Sequence, residues 1–152
     1  MAESELDVLR RLNLHFQEYI ELNKAMAIEC VSLDRGQAQM RMPYSEALVG
    51  NPQTGVLHGG AITTLLDSAC GSAAFMSLDE PTTISTLDLR IDYLRPATPG
   101  RAVIAAAHCY RRTRSVAFLR CSAWHDEGDP IATGQATFMI STPRGLHAKG
   151  TE

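Results

Sequence analysis

The sequence predicts an α+β fold in which an antiparallel sheet curls around one long central helix. Three observations carry this. Residues 56–76, VLHGGAITTLLDSACGSAAFM, read as one helix of small and apolar residues. Two strand-like segments precede it and longer ones with period-two alternation follow it. Several core-facing positions on the last strands are Ala or Gly, which lets a helix approach the sheet closely.

The elements follow in chain order. Residues 5–22 place Leu6, Leu9, Leu12 or Leu14, Phe16 and Ile20 at helical intervals, an amphipathic helix. A strand over 25–33, a turn at Asp34-Arg35-Gly36 and a strand over 37–42 form a hairpin. In its second strand Ala38, Met40 and Met42 alternate with Gln37, Gln39 and Arg41, so one side faces a core. Residues 43–57 carry Pro43, Gly50, Asn51-Pro52 and Gly55 and read as loop. The long helix is expected over 58–77. Residues 84–94 put Leu87, Leu89, Ile91 and Tyr93 on one face, after which Pro96, Pro99 and Gly100 break the chain. Strands over 102–111 and 115–125 are joined by a basic hairpin at 111–114, and Ala117, Leu119, Cys121 and Ala123 share a face. A turn from Asp126 to Pro130 leads to a strand over 131–140, with Ala132, Gly134, Ala136, Phe138 and Ile140 on one side. The expected organisation is an N-terminal helix over 1–24, one domain over 25–142 and a flexible polar tail over 143–152.

Composition excludes several classes. A net charge of -3 gives no footprint for nucleic acid. The one basic cluster, Arg111-Arg112-Thr113-Arg114, is either a solvated hairpin tip or a contact for phosphates. No apolar run approaches the ~18 residues of a membrane span. Met1 to Asp7 holds three acids and no basic segment, unlike a signal peptide. Cys30, Cys70, Cys109 and Cys121 form no C-x-x-C pair and sit among apolar residues. They read as buried free thiols in a reducing compartment, hence a cytoplasmic protein. His15, His58, His108, His125 and His147 lack metal-ligand spacing, so no metal is expected. His108 and His125 fall on strands, as packing or surface residues. Gly55 and Gly60 have Walker A spacing, but Ala61 stands where the lysine belongs. No serine, Ser72 included, sits in a G-x-S-x-G elbow.

The chemistry concentrates on the long helix. On a wheel, Ile62, Leu65, Leu66, Ala69, Ala73 and Met76 form its apolar stripe. Asp67 lies off that stripe, among Gly60, Thr63, Thr64, Gly71 and Ala74. A mid-helix aspartate ordinarily faces solvent. Here its neighbours are small enough for a second backbone or a ligand to come close. Glycines inside a helix cost about 1 kcal/mol each relative to Ala, so helix stability alone does not account for Gly59, Gly60 and Gly71. His58-Gly59-Gly60 falls at the helix start, where N–H groups lack partners and the dipole is positive. Glycine there admits a carbonyl or anion to the backbone. A helix start that holds a developing oxyanion and a carboxylate two turns on are the two halves of a hydrolytic site.

Asn51, His58-Gly59-Gly60, Asp67 nine residues after the histidine, and the strand and turn LDLRIDYLRPATPG (87–100) resemble the hotdog-fold acyl-CoA thioesterases. The nearest branch is that of the phenylacetate-pathway thioesterase and thioesterase superfamily member 2. The specific part is H-G-G-x6-D followed by a strand ending in R-P-A; the likeness spans about residues 25–140. It implies a hotdog fold, subunits paired edge to edge, dimers of dimers giving a homotetramer, and two active sites at each dimer interface. By the same resemblance Asp67 is the catalytic carboxylate, either base on water or nucleophile on the thioester. Gly59 N–H polarises the carbonyl, His58 helps bind the thioester region, and Asn51 from the other subunit orients thioester or water. Thr86 holds the water near the carboxylate. Gly60 contacts substrate, and Arg95, or Arg111, Arg112 and Arg114, meet the phosphates of coenzyme A. Coenzyme A enters as part of the substrate, and no cofactor is implied. Two other functions are a hotdog enoyl-thioester hydratase or dehydratase, which uses a His and an acid arranged differently, and a non-catalytic acyl-CoA-binding protein, against which an intact Asp67 argues. Met40, Met42, Phe75, Met76 and Leu78 either line an acyl tunnel or fill the core.

Overall fold

The computed structural model describes residues 4–141, so the expected tail over 143–152, His147 with it, lies outside the described residues. The chain opens with a helical arm in two pieces, where the sequence reads as one. Helix α1 spans Glu5–Tyr19 and α2 spans Glu21–Ala25, with Ile20 extended between them (φ -79°, ψ 103°). Ser4 caps α1 by accepting the Asp7 N–H. The arm's inner stripe is not the one expected. Leu9 is buried, but so is Asn13, while Phe16 is 69% exposed. The chain then turns through Ala27 at φ 51°, so the first strand begins at residue 29, not 25.

Strands β1 (Glu29–Asp34) and β2 (Gln37–Met42) form the expected hairpin around Gly36, whose φ of +64° favours glycine. The segment expected as loop carries a 3-10 turn over Glu46–Leu48 and two short strands, β3 (Val49–Asn51) and β4 (Val56–Leu57). These lead directly into helix α3, Gly59–Met76. Strands β5 (Ile84–Tyr93), β6 (Val103–Arg112), β7 (Val116–Trp124) and β8 (Pro130–Ile140) complete the fold. The main sheet is antiparallel in the order β1-β2-β6-β7-β8-β5.

The sheet wraps α3 because the facing side chains are small. Ala38, Ala105, Ala107, Ala117 and Ala123 are buried on the strands that face the helix. Larger groups, among them Met40, Leu65, Leu66, Met76 and Leu119, fill the remaining space. Met40, Met42, Met76 and Leu78 are therefore core. Ala74, expected beside Asp67, is also fully buried. The C-terminal end of α3 is tied to the first hairpin. Gly36 N–H donates to the Met76 carbonyl (3.1 Å), and the Arg35 guanidinium donates to the Leu78 carbonyl (2.5 Å). The Met76 carbonyl, at the helix end and without an internal partner, is thus satisfied, and the chain just beyond it is held.

Two further expectations are corrected. Leu87 does not join Leu89 and Ile91, because the β5–β8 register shifts between Thr86 and Asp88, and Leu87 is exposed. The cysteines are all free, but only Cys70 and Cys121 are buried; Cys30 and Cys109 are half-buried.

Candidate active site

Asp67 stands half-buried in the middle of α3, at the floor of a groove of about 640 Å³. The floor is one stripe of α3 at spacings of three and four: Thr64, Asp67, Ser68, Gly71, Ser72 and Phe75. One wall is residues 81–86, with Phe138 behind it; the other is the N-terminal arm. Gly71 faces the Phe138 ring, which a Cβ there would touch at 3.5 Å, an ordinary contact.

The Thr86 hydroxyl donates to Asp67 Oδ1 at 3.0 Å. Burial pushes the Asp67 carboxyl above its ordinary value, and the Thr86 bond pulls against that shift by favouring the charged form. The result is a groove-lining carboxylate with one oxygen held and raised basicity. Asp67 and Thr86, two of the residues singled out from sequence, are brought together across 19 positions of chain.

A second cluster lies at the N-terminal end of α3. His58 caps the helix, its Nδ1 accepting the Gly60 N–H at 2.9 Å. With Nδ1 an acceptor, the ring proton sits on Nε2, which leaves a donor on an exposed side chain. Gly59 N–H is the first of the helix and has no partner among the described residues. Its carbonyl is fixed: Thr63 Oγ1 (3.1 Å) and Tyr93 OH (2.9 Å) both reach it, and the two hydroxyls lie 2.6 Å apart. Asn51 is nearby on β3, which packs so tightly on His58 that a Cβ on Gly50 would come within 2.8 Å of the His58 Cα. Asn51 is exposed, and its Oδ1 accepts the Gln53 N–H at 3.0 Å.

Tyr93 is the residue that sequence reasoning missed here. Strand alternation put it on one face with Leu87, Leu89 and Ile91; it is half-exposed and bonded to the helix start. The proximity of the HGG turn to the end of the following strand is a tertiary fact with no signal in spacing.

The two clusters are not joined within one chain. Gly59 and Asp67 are eight residues apart on α3, a rise of about 12 Å. The basic residues also divide. Arg112 pairs with Asp79 (2.5 Å), which places the 111–114 hairpin at the C-terminal end of α3, away from Gly59. Arg111 and Arg114 are exposed there. Arg95, two residues beyond Tyr93, lies at the Gly59 end but is held by Asp129 at 2.8 Å. His125, expected on a strand, lies one residue beyond β7. It accepts the Thr98 N–H on Nε2 (2.7 Å) and so pins the loop after β5. Among the described residues no helix is long and apolar enough to cross a membrane, and no group of three acids, histidines or cysteines is placed to hold a metal.

Comparison with known proteins agrees with this architecture. A model of the thioesterase superfamily matches residues 54–132. The medium/long-chain acyl-CoA thioesterase YigI of Escherichia coli K12 is 32% identical over 138 residues, covering 82% of this chain and 88% of its own. A solved Pseudomonas aeruginosa protein is 40% identical, with a TM-score of 0.77 and coverage of 86% of this chain and 98% of that one. The PaaI protein from the phenylacetic acid degradation operon of Escherichia coli superposes with a TM-score of 0.78 at 20% identity, covering 90% and 96% of the two chains. That last likeness concerns the fold alone.

Proposed function

Because the chain belongs to the thioesterase superfamily, a family of hotdog-fold thioester hydrolases, we propose that it hydrolyses an acyl-CoA thioester to the free acid and coenzyme A, with Asp67 as the catalytic carboxylate. The observation that carries this is the Asp67–Thr86 pair at the floor of a groove open to a ligand.

Asp67 takes a proton from water as the water oxygen attacks the thioester carbonyl; in the alternative route its carboxylate attacks that carbon, the thiolate leaves and is protonated from solvent, and water then hydrolyses the acyl–Asp67 anhydride to the free acid. Burial favours the base role by raising its basicity. The tetrahedral oxyanion needs a preorganised donor, and the unpartnered Gly59 N–H at the positive end of α3 supplies it. His58 Nε2–H and the Asn51 amide lie beside it as further donors toward the thioester. In the base route the C–S bond then breaks, and the proton held by Asp67 passes to the departing thiolate. A thiolate is a good leaving group, so one base, one oxyanion donor and a positioned water suffice.

Base and oxyanion donor must both lie about 3 Å from the reacting group. The rise between Gly59 and Asp67 of one chain is about 12 Å. The reading therefore requires two copies, with Gly59, His58 and Asn51 of one facing Asp67 and Thr86 of the other. A two-fold arrangement creates two such sites at once. The β5 edge suits this pairing: it ends the sheet and exposes Leu87, Tyr93 and Leu94. Further association of dimers into a tetramer is compatible with it. Arg95, at the Gly59 end, is the basic residue best placed for the phosphates of coenzyme A.

The test is thiol release from a panel of straight-chain and aryl acyl-CoAs. The wild type should turn over at least one, and Asp67→Asn should lose about 10²–10⁴-fold in kcat while still binding acyl-CoA. A folded Asp67→Asn protein as active as its parent would remove Asp67 from the chemistry.

A further inference from the structure

The groove above Asp67 is closed on one side by the N-terminal arm, an element to which the hydrolytic reaction assigns nothing. Leu12, Phe16, Ile20 and Leu22 of the arm face Phe75, Ile84 and Phe138 across it. Thr64, Asp67 and Thr86 lie at one end of the floor, and Phe75 lies at the other, beyond Ser72. From Asp67 to Phe75 the floor runs eight residues, about 12 Å along the helix.

The arm's polar side chains in the groove are occupied. Asn13 Nδ2 donates to the Ser72 carbonyl (3.1 Å), and Ser72 Oγ donates back to Asn13 Oδ1 (3.1 Å). Gln17 Nε2 donates to Ser72 Oγ (2.9 Å), Asn23 Nδ2 to Gln17 Oε1 (2.5 Å), and Ser68 Oγ to Asn23 Oδ1 (3.0 Å). This network latches the arm to α3 one turn from Asp67 and spends the amides on each other. What the arm offers a ligand is therefore its apolar side chains. Asp67 is the one ionisable residue lining the groove among the described residues. A second charge on the acyl group would find no partner there, and a buried unpaired charge is strongly disfavoured.

Resting on the thioesterase reading, we infer that the arm is the acyl-specificity wall of this enzyme. Phe16, with Leu12 and Ile20, sets the size of an uncharged hydrocarbon acyl group that lies along α3 with its carbonyl carbon at Asp67. Phe16 is the decisive position, because a large apolar side chain at 69% exposure on the groove rim gains most when a hydrocarbon covers it.

The experiment compares the full-length wild type with Phe16→Ala and Phe16→Trp on straight-chain acyl-CoAs from acetyl to palmitoyl and on phenylacetyl-CoA. Mass in solution is measured alongside. Phe16→Ala should lower kcat/KM for the preferred acyl group by about tenfold or more, leave acetyl-CoA nearly unchanged, and move the optimum length; Phe16→Trp should move it the opposite way. An unchanged length profile in both variants, with the wild type active, overturns the arm's role and leaves the thioesterase reading intact. An altered mass with every substrate falling in equal proportion assigns Phe16 to a contact with a second copy and likewise overturns it. A wild type that releases no thiol from any substrate overturns both.

Discussion

Asp67 and Thr86 work in opposite directions on one proton. Burial raises the folded-state pKa of Asp67 above its unfolded value, and the Thr86 hydroxyl lowers it. For a raised carboxyl the stabilising contribution is present below the unfolded pKa and is lost as pH rises through the folded one. At neutral pH the ionised, half-buried Asp67 thus works against stability. Asp67→Asn should melt at or above the wild-type Tm at pH 7, with the difference closing as pH falls through the carboxylate range; a lower Tm at pH 7 would contradict the desolvation account. Thr86→Val removes the bond that favours the charge, so the acid limb of the kcat/KM profile should move to higher pH. Activity on that limb should fall about tenfold, the scale of one hydrogen bond to a charged group. An acid limb that stays in place would show that Thr86 does not act through Asp67. Asp67 was legible in the sequence because a carboxylate among Gly, Thr and Ala is anomalous in an otherwise apolar helix. Tyr93 was not, because its role depends on the turn of another element.

The arm and the central helix meet through amides, and this governs how each behaves. α3 is held by the apolar core and by Arg35 and Gly36 at its C-terminal end. α1 contributes Leu9 to the core, packs Leu6 against it and bonds the Leu33 carbonyl through Arg10; on the groove side it is held by the Asn13 and Gln17 bonds to Ser72, with Asn23 of α2 joining Gln17 to Ser68. Ser72→Ala deletes the hydroxyl that Asn13 and Gln17 share and leaves buried polar atoms unmatched, at a cost of about 1–3 kcal/mol. The loss should appear as faster amide hydrogen exchange over residues 9–19, with α3 amides little changed. Equal acceleration in both helices would mean that arm and core open as one unit. The helical period of the arm was readable from its leucines. Its inner face was not, since Asn13 and Gln17 carry the composition of a solvent-facing stripe, yet Asn13 is buried and Gln17 half-buried, both bonded to Ser72.

At the scale of the molecule the requirement for two copies is directly testable. Gly59 is the first residue of α3, where proline is tolerated, and His58 before it is already extended (φ -63°, ψ 135°). Gly59→Pro should therefore keep the fold, remove the proposed donor N–H and lower kcat by about 10²–10³-fold. Asp67→Ala and Gly59→Pro chains are each expected to be inactive. Co-assembled, they should recover activity, because a mixed dimer contains one site with an intact Gly59 from one chain and an intact Asp67 from the other. With free exchange of equal amounts, about a quarter of all sites should be whole. A mixture as inactive as its parents, under conditions where mixed dimers are shown by mass, would place donor and base in the same chain.

The sequence by itself determined the α+β class, the long helix bearing Asp67, the HGG turn at its start and the strands that follow, because each rests on periodicity, turn residues and local composition. Only the tertiary structure decided what those pieces face. It set Thr86 on Asp67 across a register shift in β5, tied Tyr93 to Gly59 and buried Asn13 against Ser72. It also sent the basic hairpin to the far end of α3 and opened a groove between arm and sheet. Periodicity reports which side of an element is apolar. It carries no information on which other element that side meets, since the meeting depends on packing between residues distant in the chain.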